Sequence, residues 1–391
     1  MVIIIICVLL LLAYLFDLTS SKTKIPSVIL LLLLGWCAKQ TASFFELEVP
    51  NLSPLLPILG TIGLILIVLE GSLELELNRT KFPLIKKSVL VAFLPMILLA
   101  FVLTFVFQQL GDFSFKNSLV NAIPLCVISS AIAIPSVRNL SNNNKEFIIY
   151  ESSLSDILGV LFFNFIAYND VINGHSIGRF SIDIIIVCLI SFLSTIALSV
   201  LLNKIEHHIK FVPIMILVIL IYVISKEYHL PALIFILVLG LVLGNLDQLK
   251  QYKWIERLKP DELDKEVHKF AEIVIEVAFL VRALFFLLFG YLIETKDLFN
   301  TQSLLLAIGI VAAIFLLRWC ILKLSGMPTK PLLFVAPRGL ITILLFLSIP
   351  ATQYISVVNN SLIIQVIILS ALVMMFGLMW VKEEYKESPD S

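Results

Sequence analysis

Continuous apolar runs of about 20 residues recur along the whole chain, with short polar turns between them. A helix of that length crosses the roughly 30 Å of hydrocarbon in a lipid bilayer. The runs lack the alternation of β-barrel strands, so each must satisfy its backbone as a helix. Because 60% of the 391 residues are hydrophobic and only 14% are charged, the composition also excludes an ordinary soluble domain.

The runs predict an all-α polytopic membrane protein with about 13 transmembrane helices. The first run begins at Met1 with no charged segment before it, so we interpret it as a span and not as a cleaved signal. The predicted spans are 2–18, 25–40, 54–73, 86–108, 117–138, 146–168, 181–203, 211–228, 230–246, 271–293, 302–324, 331–350 and 360–380.

Lysine and arginine are distributed unevenly between the two sides of the predicted spans. Loops after odd-numbered spans, together with the C-terminal tail, contain twenty of these residues, the opposite loops contain five, and three lie within spans. Basic residues are enriched in cytoplasmic loops, so we expect the N-terminus outside and the C-terminus in the cytoplasm of a bacterial inner membrane. The net charge is zero, so composition gives no indication of a nucleic-acid partner, and the expected surroundings are the lipid bilayer.

Two predicted spans contain helix-breaking residues well inside the apolar run. The fifth has Pro135 in SSAIAIPSVRN, and the twelfth has Pro337 and Gly339 in FVAPRGLIT. If the seventh span connects two sets of six spans, the fifth and twelfth spans occupy equivalent positions in the two sets. Because the connector is a single span, the two six-helix repeats have inverted orientations in the membrane. Inverted repeats with broken helices near the midplane are typical of secondary transporters. In this chain we expect broken helices 5 and 12. An ordinary proline kink is the alternative for either span alone.

Asp156 lies near the middle of the sixth span, in YESSLSDILGV. An ionised side chain at that depth costs about 2.5 to 3.5 kcal/mol on insertion scales. Ser152 shares its helix face and Ser155 adjoins it. Carboxylate, hydroxyl and freed carbonyl oxygens are the ligands of a hard monovalent cation, so we predict a site at Asp156 for which a cation and a proton compete. A structural hydrogen bond or salt bridge is the alternative.

Three further charges lie in the sixth, eleventh and twelfth spans. Arg338 has a depth close to that of Glu151, so we expect that the two can pair. Arg318 lies toward the cytoplasmic end of its span, where snorkelling to the interface is an equal alternative. These residues are interpreted as structural or gating charges.

Charges also occur in the third and tenth spans. Arg282 is expected to form a structural ion pair with Glu276 or Glu272 in its own helix. Glu70 lies a few residues before the cytoplasmic end of the third span and could line an entrance to the site.

Cysteine and histidine give no support for another metal or a cofactor. The five cysteines occur singly within helices, and the five histidines lie in loops or at helix edges. We therefore expect no cofactor, and no metal except a monovalent cation at Asp156.

The sequence resembles the monovalent cation:proton antiporters, and the match runs over nearly the whole chain. KIPSVILLLLLGW resembles the second helix of that family, and LEGSLELEL its third-helix pattern. ESSLSD is similar to the Glu-Ser-x-x-Asn-Asp motif of the electroneutral branch, FFLLFG to its FFxxxG motif, and PRGLIT to its Arg-Gly motif. Arg318 falls where the family carries a basic residue.

The chain departs from the family at the ion site. The Thr-Asp-Pro motif of the fifth helix is matched to residues 133–135, Ala-Ile-Pro, so Ser129, Ser130 or a backbone carbonyl is expected to substitute for the lost ligands. Ser155 replaces the Asn of the sixth helix. The predicted cation and proton site is this set: Asp156, Ser155, Ser152, Ser130 and Ala133.

The resemblance implies a core of spans 4–6 and 11–13, a dimerising panel of spans 1–3 and 8–10, and an elevator-like motion between them. The expected parts are 1–108 with the first panel helices and the start of the core, 109–180 with core helices 5 and 6 and the ion site, 181–210 with the connecting helix, 211–301 with the second panel helices and an amphipathic cytoplasmic linker, and 302–391 with the second core half and a short tail.

The expected function is secondary active antiport and not enzymatic catalysis. A homodimer exchanges one Na⁺, or K⁺ or Li⁺, for one H⁺ in an electroneutral cycle. Three alternatives remain open: a cation-coupled solute symporter, a polytopic membrane enzyme, and a regulator that has lost transport.

Overall fold

The computed structural model describes residues 2–23, 25–46, 50–75, 79–138, 140–169, 173–204, 211–228, 230, 232–246 and 260–381. Within these ranges the secondary structure is helical and no strand occurs, which confirms the all-α prediction. The predicted linker falls partly outside the described ranges, and from Pro260 the chain already belongs to the tenth-span helix. The predicted C-terminal tail after residue 381 lies outside them as well.

Each of the thirteen predicted runs contains a helix or an interrupted pair of helices. The described helices are α1 Val2–Thr23, α2 Ser27–Phe44, α3 Leu55–Glu74, α4 Phe82–Leu110, α5 Phe115–Cys126, α6 Ser130–Ser136, α7 Asn142–Tyr168, α8 Gly174–Lys204, α9 Phe211–Glu227, α10 Leu233–Gly244, α11 Pro260–Leu292, α12 Thr295–Leu298, α13 Thr301–Leu324, α14 Leu340–Leu347 and α15 Asn360–Trp380.

Eight helical segments of the described chain are long and apolar enough to cross a membrane, and two shorter apolar helices accompany them. The longest of the eight, Leu263–Leu292, lies within α11. The chain is therefore a multi-pass membrane protein, while the count of thirteen crossings stays a prediction.

Side chains satisfy the first backbone amides of three helices. Ser114 Oγ accepts from Asn117 N at 3.2 Å at the start of α5. Asn300 and Asn359 cap α13 and α15 in the same way. Such caps pair amides that a helix leaves without an internal partner, so they fix where these helices begin.

The helices pack in two groups that meet at α3. In one group α4 packs on α5, α7 and α13, and α13 packs on α15. In the other, α11 packs on α2 and α3, and α10 packs on α3 and α8. Helix α3 also contacts α6, α7 and α14 of the first group. Gly63 of α3 illustrates this position, because a Cβ built there would lie 3.4 Å from Leu340 Cδ1 on one side and 3.5 Å from Val281 Cγ1 on the other.

Two glycines allow the backbones of α2 and α11 to approach closely. A Cβ at Gly35 would collide with Leu287 O and lie 2.8 Å from Tyr291 N. A Cβ at Gly290 would collide with Leu32 O. Small residues at such crossings are typical of membrane helices, and this contact gives Gly290 of the FFLLFG segment a packing role.

We expect Gly290→Ala to lower the melting temperature of the detergent-solubilised protein. The added methyl group meets backbone that cannot move aside alone, and overpacking of this kind costs about 1 to 3 kcal/mol. Gly309→Ala in α13 is the matched control, because nothing lies within 4 Å of a Cβ at Gly309. An equal effect of the two substitutions would contradict the assigned role of Gly290.

Candidate functional site

The fifth predicted span is interrupted after Cys126. Helix α5 ends there, and α6 begins at Ser130, so Val127–Ser129 is extended. The break predicted around Pro135 is wrong in position, since Pro135 lies within α6. A proline removes one amide, whereas the observed break is stabilised by partners from other helices. Ile128 N donates to Ser155 Oγ at 3.0 Å, and Ser129 N donates to Pro337 O at 3.0 Å.

The twelfth predicted span is interrupted at Val335–Gly339, as the sequence indicated. A short 3-10 turn, Leu332–Phe334, precedes it, and α14 follows. The two interrupted segments cross each other at Gly339, where a Cβ would lie 3.0 Å from Ser129 Oγ and 2.6 Å from Ile132 Cδ1. Both neighbours are side-chain atoms, so a larger residue at position 339 would have to displace the side chains of Ser129 and Ile132.

Asp156 lies directly beside this crossing. Its side chain is buried, with 1% of the residue exposed. Oδ2 accepts hydrogen bonds from Ser130 N, at 3.3 Å, and from Ser130 Oγ. Oδ1 accepts none from any residue that the structure describes. One carboxylate oxygen is thus held by α6.

The other predicted ligands do not all lie beside the Asp156 carboxylate. Ser155 contacts the interrupted segment by accepting a hydrogen bond from Ile128 N. Ser152 donates instead to Ile148 O of its own helix, at 2.7 Å. Ala133 lies within α6, where its amide bonds to Ser129 O, so residues 133–135 do not form the break. Ser129, which sequence reasoning gave only as a substitute, lies at the crossing with a buried hydroxyl that has no partner among the described residues.

Glu151 pairs with Arg318 and not with Arg338. Arg318 Nη1 donates to Glu151 Oε1, and Nη2 donates to Oε2 at 2.8 Å. Arg318 Nε donates to Leu332 O at 2.8 Å, at the start of the second interrupted segment. Both charged residues are buried, with 1% and 2% exposed, so the snorkelling alternative for Arg318 is wrong as well. The pair joins α7 to α13.

Arg338 binds backbone carbonyls. Nε donates to Leu125 O at 2.8 Å, Nη2 to Cys126 O at 3.2 Å, and Nη1 to Ala336 O at 2.9 Å. The last carbonyls of a helix have no internal partner, and a cation is favourable there. Arg338 therefore completes the C-terminal end of α5, a role that cannot be read from the sequence until the end of α5 is known.

Arg282 lies opposite Glu70, across the contact of α11 with α3. Its Nη1 is 3.9 Å from Glu70 Oε2. The predicted pairing with Glu276 or Glu272 is wrong, because spacings of six and ten residues place those side chains on other faces of the helix.

Comparison with known proteins identifies the family of this chain. The family model described as "Sodium/hydrogen exchanger, transmembrane" matches residues 7–382. The chain belongs to the sodium/hydrogen exchanger family. Its members are membrane transporters, so the enzyme alternative is excluded. The resemblance found in the sequence is thereby confirmed for the family.

Two solved structures of the sodium proton antiporter MjNhaP1 from Methanocaldococcus jannaschii have the same fold as this exchanger. One, determined at pH 8, is 20% identical, covers 96% of this chain and 97% of its own, and has a TM-score of 0.71. The other, from an electron microscopy map, is 19% identical, covers 99% of each chain, and has a TM-score of 0.69. A comparison with curated proteins gives no match.

We expect Arg318→Gln to destabilise the exchanger strongly. Removing one partner of a buried ion pair typically costs about 3 to 5 kcal/mol, because the other charge stays buried. The double variant Glu151→Gln with Arg318→Gln should recover part of that loss. Melting temperatures of the four proteins in detergent form a double-mutant cycle, and strictly additive shifts would contradict the pairing.

Arg338→Gln provides the matched control for this cycle. It removes a guanidinium that binds carbonyls, so Glu151→Gln should not rescue it. A rescue as large as that of the Arg318 variant would show that Arg338 and Glu151 interact after all.

Proposed function

We propose that this exchanger moves one Na⁺ against one H⁺ through Asp156, with K⁺ and Li⁺ as alternative substrates. The environment of the Asp156 carboxylate carries the proposal. This carboxylate is buried beside two interrupted helices. Ser130 donates to one of its oxygens, and the other oxygen has no hydrogen-bond partner among the described residues. A carboxylate in this position needs a positive charge or a proton on its free oxygen.

Cation and proton compete for that oxygen under this proposal. Asp156 binds a proton when no cation is present, and a cation displaces it. Hydroxyl oxygens of Ser130 and Ser129, together with carbonyls of the interrupted segment, supply the neutral ligands that replace water around a monovalent cation. Ser155 stabilises the break by accepting a hydrogen bond from Ile128 N, and its hydroxyl keeps one further lone pair for the same purpose.

Alternating access would arise from movement of one helix group against the other. In this proposal the core consists of α4 to α7 and α13 to α15, and the panel consists of α1 to α3 and α9 to α11. The two packing groups that meet at α3 support this division. The panel would also form a homodimer interface, in a bacterial inner membrane with the N-terminus outside.

Asp156→Asn should abolish exchange. The amide cannot bind a proton as the carboxylate does, and it supplies no anionic oxygen to a cation. Proteoliposomes that contain a pH-sensitive dye, with Na⁺, K⁺ or Li⁺ added in turn, measure the flux. Asp112→Asn, in an exposed loop, is the control and should keep the unsubstituted rate.

Exchange by Asp156→Asn at the original rate would move the site elsewhere. A folded unsubstituted protein that exchanges none of the three cations would instead favour the regulator alternative.

The exchange cycle should be electroneutral. Asp156 is the carboxylate at the crossing, so binding one cation requires the loss of one proton. Each net charge moved would couple the cycle to the membrane potential by about 2.3 kcal/mol per 100 mV, a factor of about fifty in the final cation gradient. A potential clamped with valinomycin should leave that gradient unchanged. A gradient that follows the clamp would indicate a second titrating group, and Glu70 and Glu151 would be tested next.

A further inference from the structure

Ser370 of α15 is a buried serine that binds the second interrupted segment. None of the residue is exposed. Its Oγ accepts a hydrogen bond from Arg338 N at 3.0 Å and donates one to Ile367 O of its own helix at 3.1 Å. Among the described residues, this hydroxyl is the acceptor that the Arg338 amide has. An amide buried within a membrane protein needs such an acceptor, because no water replaces it.

The Arg338 amide belongs to the same peptide group as the carbonyl of Pro337. That carbonyl accepts a hydrogen bond from Ser129 N at 3.0 Å, where the two interrupted segments cross. A trans peptide group is planar, and its N–H and C=O point in opposite directions, so fixing one bond direction fixes the other. Ser370 on one side of this peptide group therefore orients the acceptor that Ser129 meets on the other side.

The same two residues support the first interruption on both of its sides. Before the break, the Arg338 side chain donates to Leu125 O at 2.8 Å and to Cys126 O at 3.2 Å. Within the break, Pro337 O accepts from Ser129 N. The position of the first interrupted segment therefore depends on how the Pro337–Arg338 backbone is held.

The proposed cation ligand lies at the end of this series of contacts. Ser130 follows Ser129 in the chain and donates to Asp156 Oδ2 from both its amide and its hydroxyl. A displacement of Ser129 would move Ser130 with it, because the two are covalently joined. The orientation of the Asp156 carboxylate is thereby linked to Ser370 through hydrogen bonds and one peptide group.

The first interrupted segment is held by a serine in the same way. Ser155 Oγ of α7 accepts from Ile128 N at 3.0 Å, and α7 is the long helix that follows this segment, as α15 follows the second one. Ser155 could be found in the sequence because it adjoins Asp156. Ser370 stands between Leu369 and Ala371 in an apolar run, so the sequence gives no signal for it.

We propose that Ser370 is a positioning residue for cation binding at Asp156 and acts through the Pro337–Arg338 peptide group and Ser129. The inference rests on the proposed antiport function. Without the hydroxyl, the Arg338 amide loses its acceptor and the peptide group is free to turn. The Pro337 carbonyl then no longer points at Ser129 N, and the ligands around the carboxylate lose their fixed arrangement.

Ser370→Ala should raise the Na⁺ concentration for half-maximal exchange about tenfold, because substitution of residues that orient the ligands of a metal ion typically changes its affinity by about 10- to 100-fold. Ser370→Thr keeps the acceptor oxygen and should restore most of the affinity. Ser191→Ala in α8 is the matched control. Ser191 is equally buried, its hydroxyl donates to Val187 O of its own helix at 2.6 Å, and its loss should leave the half-maximal concentration unchanged.

Two results would overturn the proposal. One is an unchanged half-maximal Na⁺ concentration in folded Ser370→Ala, even with a lower melting temperature, because the serine would then be only structural. The other is a Ser370→Thr variant that is as impaired as Ser370→Ala. If size-exclusion chromatography shows that Ser370→Ala does not fold, Ser370→Cys takes its place, since a thiol is a weaker acceptor and the same direction of change is expected.

A double variant tests whether the effect passes through Ser130. Ser130→Ala removes one of the two donors to Asp156 Oδ2. In that background Ser370→Ala should raise the half-maximal Na⁺ concentration by a smaller factor, because part of what Ser370 positions is already absent. Equal factors in the two backgrounds would show that Ser370 acts independently of Ser130 and would overturn the proposal.

Cation binding measured without transport separates this inference from the antiport function. The rise in melting temperature on titration with Na⁺ reports binding in detergent. Na⁺ stabilisation without exchange in the unsubstituted protein would reject antiport while leaving the effect of Ser370 measurable. Equal half-maximal Na⁺ concentrations for stabilisation of the unsubstituted protein and Ser370→Ala would reject the inference alone. Absence of any Na⁺ response in every variant would reject both.

Discussion

The hydrogen bond from Ser129 N to Pro337 O joins two interrupted helices at their open backbone. In lipid an unpaired amide or carbonyl costs several kcal/mol, so an interrupted helix persists only where other parts of the protein supply its partners. The break in the fifth span therefore cannot be separated from its surroundings. The side chains and backbone that satisfy it come from α7 and from the second interrupted segment: Ser155, Asp156, Pro337 and Arg338.

The two buried carboxylate–arginine pairs differ in geometry, and that difference separates their roles. Glu151 and Arg318 share two hydrogen bonds, and Arg318 also holds Leu332 O. Such a bidentate pair is strong and specific in its geometry, which suits a permanent connection. Glu70 and Arg282 share only electrostatic attraction. At 3.9 Å that attraction fixes no particular geometry, so the pair constrains α3 and α11 less than the bidentate pair constrains α7 and α13.

The sequence was sufficient to predict the helices, the interruption at Pro337 and Gly339, and the position of Asp156 beside an interrupted helix, because each depends on local properties of the chain. Apolar length predicts a helix, and a charge at depth requires a partner or a task. The pairing of Arg282 within its own helix was wrong because spacings of six and ten residues place those side chains on other faces. The partner of Glu151 was predicted wrongly for a different physical reason. Sequence gives the depth of a residue in the membrane but not its lateral position among neighbouring helices. The predicted break at Pro135 was wrong for another reason, because a proline near the end of a short helix need not interrupt that helix.

Three connections tie the first half of the chain to the second within the same helix group. They are the pair of Glu151 with Arg318, the bonds of Arg338 to the end of α5, and the contact of Ser129 with Pro337. Pulling these halves apart would leave charges and backbone groups facing hydrocarbon. Along α3, by contrast, Gly60 and Gly63 meet the aliphatic side chains of Leu344 and Leu340. The contact of α3 with α14 at these positions is therefore made by apolar side chains, whereas the connections within the helix group are polar.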